Sequence, residues 1–374
     1  MQIQTIDIFP VSYPTKGRFK FLETPGGQRT GRAGVLVKIT ADDGTAGWGE
    51  SVPVQTWCDE TLESAVTTLR HYLKPVLIGR DPFDIAGIHR LMNQTVKGGF
   101  TTGQPLCKAG IDLALHDLVC RSLGCTLAQY WGTRGREEIE LSWTLNPSTL
   151  EDLDRMIEEG FEQGYKHFNV KVAPDPAYDI ELCKRVRERA PDGFLWADAN
   201  GGYDLASALR AAPQLADVGV DVLEAPLPPN QMHGYQRLVR QGALPILMDE
   251  GVISPTDLIE FIRLHMLDGV AMKPSRCGGL YPARRQIEIL RDAGLMFLGS
   301  GLSDPDVCLS ASIRLFAAYD LRFPAALNGP QFLNHSVLDS PLVPADGCLA
   351  VGNEYGLGVE INGQRLREIE VCDV

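Results

Sequence analysis

The feature that most constrains this chain is a recurring unit between Asn169 and Lys273. N-V-K (169–171), W-A-D-A-N (196–200), V-L-E-A-P (222–226), L-M-D-E (247–250) and A-M-K-P (271–274) are short apolar runs, each ending on an ionisable residue. Those residues are Lys171, Asp198, Glu224, Asp249 and Lys273. The repeat is about 25 residues, the size of one strand-plus-helix unit. Amphipathic helical patterns fill the gaps, so the segment reads as a parallel sheet closed into a barrel. The C-terminal strand ends of such a barrel converge on one mouth. Two lysines and three carboxylates therefore share a single cavity.

In chain order, residues 2–9, 35–40 and 45–50 read as strands, the last two joined as a hairpin. From Glu60 to Leu123 the pattern is helical, with Gly124 as a C-cap and His116 as a packing residue. The barrel is expected to begin with E-I-E-L-S-W-T-L (138–145), with a seventh strand at 295–300 and an eighth at 325–330. A turn-rich tail follows, ending in the strand-like pieces L-G-V-E-I and I-E-V-C. The expected class is α/β: a modified TIM-type (β/α) barrel with an α+β capping domain. The capping domain takes residues 1–125, the barrel 126–328, and 329–374 return to the cap. The loop at 14–32 carries Lys16, Arg18, Lys20, Arg29 and Arg32. It reads either as a solvated loop or as a lid whose cations meet an anionic substrate. G-G-Q-R-T-G-R within it is no phosphate loop, because no Lys-Ser/Thr and no helix follow.

The net charge of −13 argues against nucleic acid and anionic membrane as partners. No run approaches the ~20 apolar residues of a membrane span, and the first residues do not resemble a signal peptide. Nine cysteines without a C-x-x-C pair are expected to be reduced, in a cytoplasmic protein. Cys277 and Cys308 read as packing residues. N-Q-T (93–95) and N-H-S (334–336) match glycosylation acceptors that a cytoplasmic chain does not use.

Three carboxylates at neighbouring strand ends repel one another unless a cation neutralises them. An all-oxygen set without His or Cys suits a hard divalent ion, Mg²⁺ first and Mn²⁺ second. A lysine ending an apolar strand points into the mouth, where burial and a nearby ion lower its pKa and yield a neutral base. Removing a proton alpha to a carboxylate gives an enediolate, whose charge a divalent ion stabilises. A class I aldolase with a Schiff-base lysine and a barrel that only binds a ligand are the other readings. The first has no use for three metal-type carboxylates.

With these motifs the chain resembles the enolase superfamily, in its muconate-lactonising subgroup. The resemblance implies that Asp198, Glu224 and Asp249 hold the metal and that Lys171 and Lys273 transfer protons. It sets Asn169-Val170-Lys171 against a Lys-x-Lys motif and Lys273 with Gly278-Gly279-Leu280 against the sixth strand. It also sets A-G-I-D-L-A-L-H-D-L (109–118) against the last capping helix and L-G-V-E-I (357–361) against the closing segment. Asn169 stands in place of the first lysine, and the seventh strand offers Ser300-Gly301-Leu302-Ser303 without His. Asn169, Arg18, Ser300 and Asn328 are the expected substrate contacts, with Asn200 and Glu250 supporting the ligands. The implied activity is racemisation, epimerisation or cycloisomerisation of a small carboxylic acid by a homo-oligomeric enzyme. The alternative is β-elimination from a hydroxy acid or acid sugar.

Overall fold

The computed structural model describes residues 1–23 and 31–372. Strands β1 (Ile3–Tyr13), β2 (Arg32–Ala41) and β3 (Ala46–Ser51) form an antiparallel sheet in that order. Helices follow, and the longest, Pro105–Leu123, is buried from Pro105 to Cys120. It lies tightly on β3, since a Cβ at Gly49 would come 2.0 Å from the Gly110 carbonyl oxygen. Gly124 ends it in the left-handed conformation (φ 63°), as expected.

Two carboxylates of this helix tie the molecule together. Asp117 accepts from Trp48 N (2.9 Å) on β3, from Leu357 N (2.7 Å) in the tail and from Arg121 Nε (2.9 Å). Asp112 accepts from Leu280 N and from His89 Nε2 (2.7 Å). The Leu280 contact needs glycine beforehand: Gly279 has φ 111°, and a Cβ there would lie 2.2 Å from Asp112 Oδ1. His116 is buried, with Nδ1 2.9 Å from the Asp112 carbonyl oxygen, a packing role.

The expected first barrel strand is split. β4 (Glu138–Glu140) pairs antiparallel with Cys348–Ala350 of the tail, and only β5 (Ser142–Leu145) joins the barrel. The sheet continues through β6 (His167–Lys171), β7 (Leu195–Asp198), β8 (Val222–Glu224), β9 (Ile246–Met248), β10 (Gly269–Met272) and β11 (Met296–Gly299). All neighbours are parallel. In place of a full eighth strand, Ala325 bridges to Leu141 and Ala326 to Ser300, which joins the two edges. The tail returns to β1 without forming the two expected strands. It bridges Leu338 to Ile361, forms a helix at Gly363–Ile369 and pairs Glu370 with Val11. No helix among the described residues is long and apolar enough to cross a membrane.

Inside the barrel, Trp196, Val222, Leu247, Ala271, Leu298 and Ala326 form one packed layer. Two residues on from each lie Asp198, Glu224, Asp249, Lys273, Ser300 and Asn328. Side chains alternate along a strand, so a residue two places beyond an inward-facing one also faces inward, one level nearer the mouth. The apolar layer is the floor on which the polar residues stand.

The Gly49 contact has no slack. Gly49→Ala is expected to lower stability by about 1–3 kcal/mol in urea unfolding. Gly99→Ala, with nothing within 4 Å of its Cβ, is expected to stay within about 0.5 kcal/mol of the parent.

Candidate active site

Asp198, Glu224 and Asp249 are buried, at 1%, 1% and 2% exposure. Lys171 Nζ lies 2.5 Å from Asp198 Oδ2. Lys273 Nζ lies 2.5 Å from Asp249 Oδ2 and 3.5 Å from Glu224 Oε1. The five residues singled out from the repeat are thus brought to one place, with the lysines on β6 and just past β10 and the acids between them. Asn200 supports Asp198, its backbone N donating to Oδ1 (2.9 Å) and its Nδ2 to Oδ2 (3.0 Å). Glu250 accepts from the Trp57 indole N–H (3.1 Å).

The charges shift one another. Burial pushes the Glu224 carboxyl well above its ordinary value, with Asp198 and Asp249 adding to it against Lys273. Burial also pushes Asp198 up, but Lys171, Lys20 and Lys273 outweigh it and hold the carboxyl below the usual range. Lys273 differs from the expectation of a lowered pKa. Burial does lower it, but Asp249 and Glu224 more than offset that, and the amine ends above its ordinary value. The physical reason is contact: carboxylates within ion-pair distance favour the ammonium more than desolvation disfavours it.

Among the described residues no three His, Cys, Asp or Glu side chains are gathered round one point as a ready metal site. The donor set nevertheless fits a hard divalent ion in its chemistry. It is all oxygen and buried, and neither Asp249 oxygen accepts a hydrogen bond of regular geometry despite its ion-paired neighbours.

Several residues here carry no sequence signal of their own. Arg276 is buried with Nε 3.2 Å from Asp249 Oδ1, and the Trp57 ring lies 5.8 Å from its guanidinium carbon. Lys273 Nζ is 5.3 Å from the same ring, and Lys171 Nζ is 5.9 Å from Phe19. Phe21 stacks on Trp57 (4.1 Å) and Phe19 on Phe332 (4.7 Å). Only packing of the capping residues over the mouth brings these rings together. Arg276, three residues past Lys273, is the one member that proximity in the chain would have flagged.

The segment over the mouth is therefore aromatic more than cationic. Arg32 is not part of a lid: it is buried and donates to the carbonyls of Val52 (2.8 Å), Pro53 (2.7 Å) and Leu302 (3.0 Å), fastening cap to barrel. Arg18 is exposed and engaged with Glu23 (3.5 Å) and the Ser148 hydroxyl. Among the described cations of this loop, Lys20 is the one that acts on the acids, helping to hold Asp198 below its usual range. Desolvation lowers its pKa, with Asp198 opposing, and its Nζ stands 5.0 Å from the Phe21 ring. Arg29 lies outside the described residues.

Asn169 and Asn328 are buried, and Asn328 Nδ2 donates to Thr144 Oγ1 (3.2 Å). Ser300 is buried where β11 meets Ala326. Cys277 and Cys308 are buried free thiols, Cys277 Sγ 3.6 Å from Met272 and Cys308 donating to the Glu50 carbonyl (3.2 Å).

Comparison with known proteins gives the chain's family. The enolase C-terminal domain-like family model matches residues 152–365, and the mandelate racemase/muconate lactonizing enzyme N-terminal domain model matches 22–132. The chain belongs to the enolase superfamily, in its muconate-lactonising subgroup. It is an isomerase of that superfamily. Muconate cycloisomerase 1 of Rhodococcus opacus is 29% identical, over 97% of this chain and 96% of its own. N-succinyl-L-Arg/Lys racemase of Bacillus cereus is 27% identical over 99% and 98%. Among solved structures, 2-chloromuconate cycloisomerase from Rhodococcus opacus 1CP superposes with a TM-score of 0.90 at 28% identity, covering 100% of both chains.

Asp249 is held by two cations at once. Arg276→Met is expected to cost about 3 kcal/mol in denaturant unfolding, because it strips a partner from a buried carboxylate. Adding Asp249→Asn to that variant should restore part of the loss, since residue 249 then carries no charge for Arg276 to balance, and Lys273 keeps Glu224 (3.5 Å) as its partner.

Proposed function

We propose that this protein abstracts the proton alpha to the carboxylate of a small acid and returns it, racemising or epimerising the substrate. The observation that carries this reading is the pair of lysines at the two flanks of the acid trio. β6 and β10 are separated by three strands, so Lys171 and Lys273 approach a ligand in the mouth from opposite sides. A single base cannot reach both faces of a tetrahedral carbon, whereas this pair does. Lys171 takes the proton from one face and Lys273 delivers one to the other, with the roles exchanged for the opposite enantiomer.

Asp198, Glu224 and Asp249 are the residues that would hold Mg²⁺, or Mn²⁺ by the same chemistry. When bound, a divalent ion supplies the positive charge that stabilises an enediolate. Were Asp249 and Glu224 to turn to such an ion, Lys273 would lose the contacts that hold its amine above its ordinary value. Asn200 orients Asp198, and Arg276 orients Asp249. Phe19 and Trp57 cover the lysines and exclude water, which strengthens every charge interaction beneath them.

Cycloisomerisation is the second reading, favoured by the names of the relatives: besides the Rhodococcus enzyme, the chloromuconate cycloisomerase of Cupriavidus necator is 29% identical over 98% of both chains. It needs one lysine as the acid or base and leaves the other as an electrostatic partner.

Deuterium exchange with each enantiomer of a substrate distinguishes the two. For racemisation, Lys171→Ala should lose exchange with one enantiomer and Lys273→Ala with the other, each by about 10³-fold or more. Full exchange and turnover in either variant would remove that lysine from the proton-transfer step. Separately, MgCl₂ should raise the Tm of the parent protein, and Asp249→Asn should abolish most of that shift, because stabilisation tracks affinity for the folded state.

A further inference from the structure

A cavity of about 530 Å³ lies on the seam between cap and barrel and is lined by none of the charged residues of the mouth. Its walls come from the cap helices Ile85–Thr95 and Pro105–Leu123, the loop between them, and the N-terminal parts of the barrel helices Pro255–Arg263 and Leu280–Asp292. Hydrogen bonds fix these walls. The Thr101 hydroxyl donates to Asp257 Oδ2, tying the loop to the barrel, and His89 Nε2 lies 2.7 Å from Asp112 Oδ2. The loop is tight as well, since a Cβ on Gly98 would collide with the Thr101 carbonyl oxygen.

The charges that face this cavity run against those of the chain, which has 48 acidic residues to 35 lysines and arginines. Arg90, Lys108 and Arg285 line one space with a single acid, Asp257. That acid is occupied, accepting from Ser254 N (2.8 Å) and from Thr101, and His89 is matched by Asp112. Among the described residues, no carboxylate stands within ion-pair distance of Arg90 or Arg285, and Arg285 has only the Tyr281 ring, 5.6 Å away. Lys108 is the most demanding of the three. It is 1% exposed, and its ammonium donates to two neutral oxygens, Asn93 Oδ1 (2.9 Å) and the Val96 carbonyl (2.8 Å). An ammonium has a third N–H to place. Burial pushes the Lys108 amine down to about 8, against Cys107 and Glu60. A charge taken out of water without an opposite charge beside it is costly, and an anion in the cavity would supply one.

We infer that this cavity is a binding site, separate from the active site, for a compact polyanion: a small molecule carrying two or more phosphate or carboxylate charges. Arg90 and Lys108 reach it from two helices of the cap, and Arg285 reaches it from the barrel. A guanidinium fork matches phosphate and carboxylate oxygens alike, and the ammonium adds a point charge. The volume suits a small molecule, within the range of about 300–1,000 Å³ usual for such sites. A cationic ligand would meet three like charges. An apolar one would desolvate all three and match none. Because cap and barrel both contribute, an anion held here also fastens one to the other.

The test titrates the full chain, with Mg²⁺ present, with inorganic phosphate and with tricarballylate by isothermal titration calorimetry. Salt is held at about 0.15 M, so that diffuse attraction is screened. At least one probe is expected to bind with a Kd of about 1 mM or below. Binding of phosphate alone marks a phosphorylated ligand, binding of tricarballylate alone a polycarboxylate, and binding of both a site that reads charge; each supports the inference. In the double variant Arg90→Gln/Arg285→Gln the affinity should fall about tenfold or more, or one binding site should be lost. The control is Arg210→Gln/Arg240→Gln, which removes the same charge from two exposed positions outside the cavity. It should stay within about twofold of the parent, because distant surface charges are screened. Absence of binding by both probes overturns the inference. So does affinity and stoichiometry unchanged in Arg90→Gln/Arg285→Gln, or an equal loss in the control.

Discussion

The whole site depends on strand alternation above a filled layer. Trp196, Val222, Leu247, Ala271, Leu298 and Ala326 close the barrel interior, so the next inward-facing residue on each strand cannot sink and must stand at the mouth. That places Asp198, Glu224, Asp249, Lys273, Ser300 and Asn328 at one level. A one-residue slip in any strand would exchange its mouth residue for one facing the helices.

Placing these groups together creates an electrostatic problem that the protein solves locally. Three buried carboxylates are opposed by two ammonium groups and a guanidinium, and Glu224, wedged between the other two acids, is the one pushed well up. The same contacts that stabilise the acids hold Lys273 above its ordinary pKa. The acids and Lys273 are therefore kept in check by each other, each charge favouring the other's ionised form.

The cap is held over this mouth by the buried helix Pro105–Leu123. Asp112 fastens it to the start of the helix after β10, and Asp117 fastens it to β3 and the tail. Arg32 adds a third link, from β2 to the loop after β11. Through these the aromatic residues Phe19, Phe21 and Trp57 arrive above the lysines. The motifs at 109–118, 278–280 and 357–361 are therefore parts of one connection: each supplies a carboxylate or the backbone N–H that meets it.

The sequence by itself determined the barrel, the cap and the five charged residues at the mouth, because a period of two within strands and about 25 between them is a local pattern. It also showed the absence of a charge at Asn169. It did not show the break at Leu141, since the pairing of β4 with Cys348–Ala350 joins segments some two hundred residues apart. Nor did it show that the tail would end in a helix instead of strands. Arg32 and Arg18 read as cations of a basic loop, solvated or lid-forming, but whether such a residue meets substrate, solvent or a buried carbonyl is settled only by what packs against it. The shared cavity of Arg90, Lys108 and Arg285 is likewise invisible in the chain. A charge is matched or left unmatched by groups from distant segments, and only the packing of cap on barrel brings these three to one space.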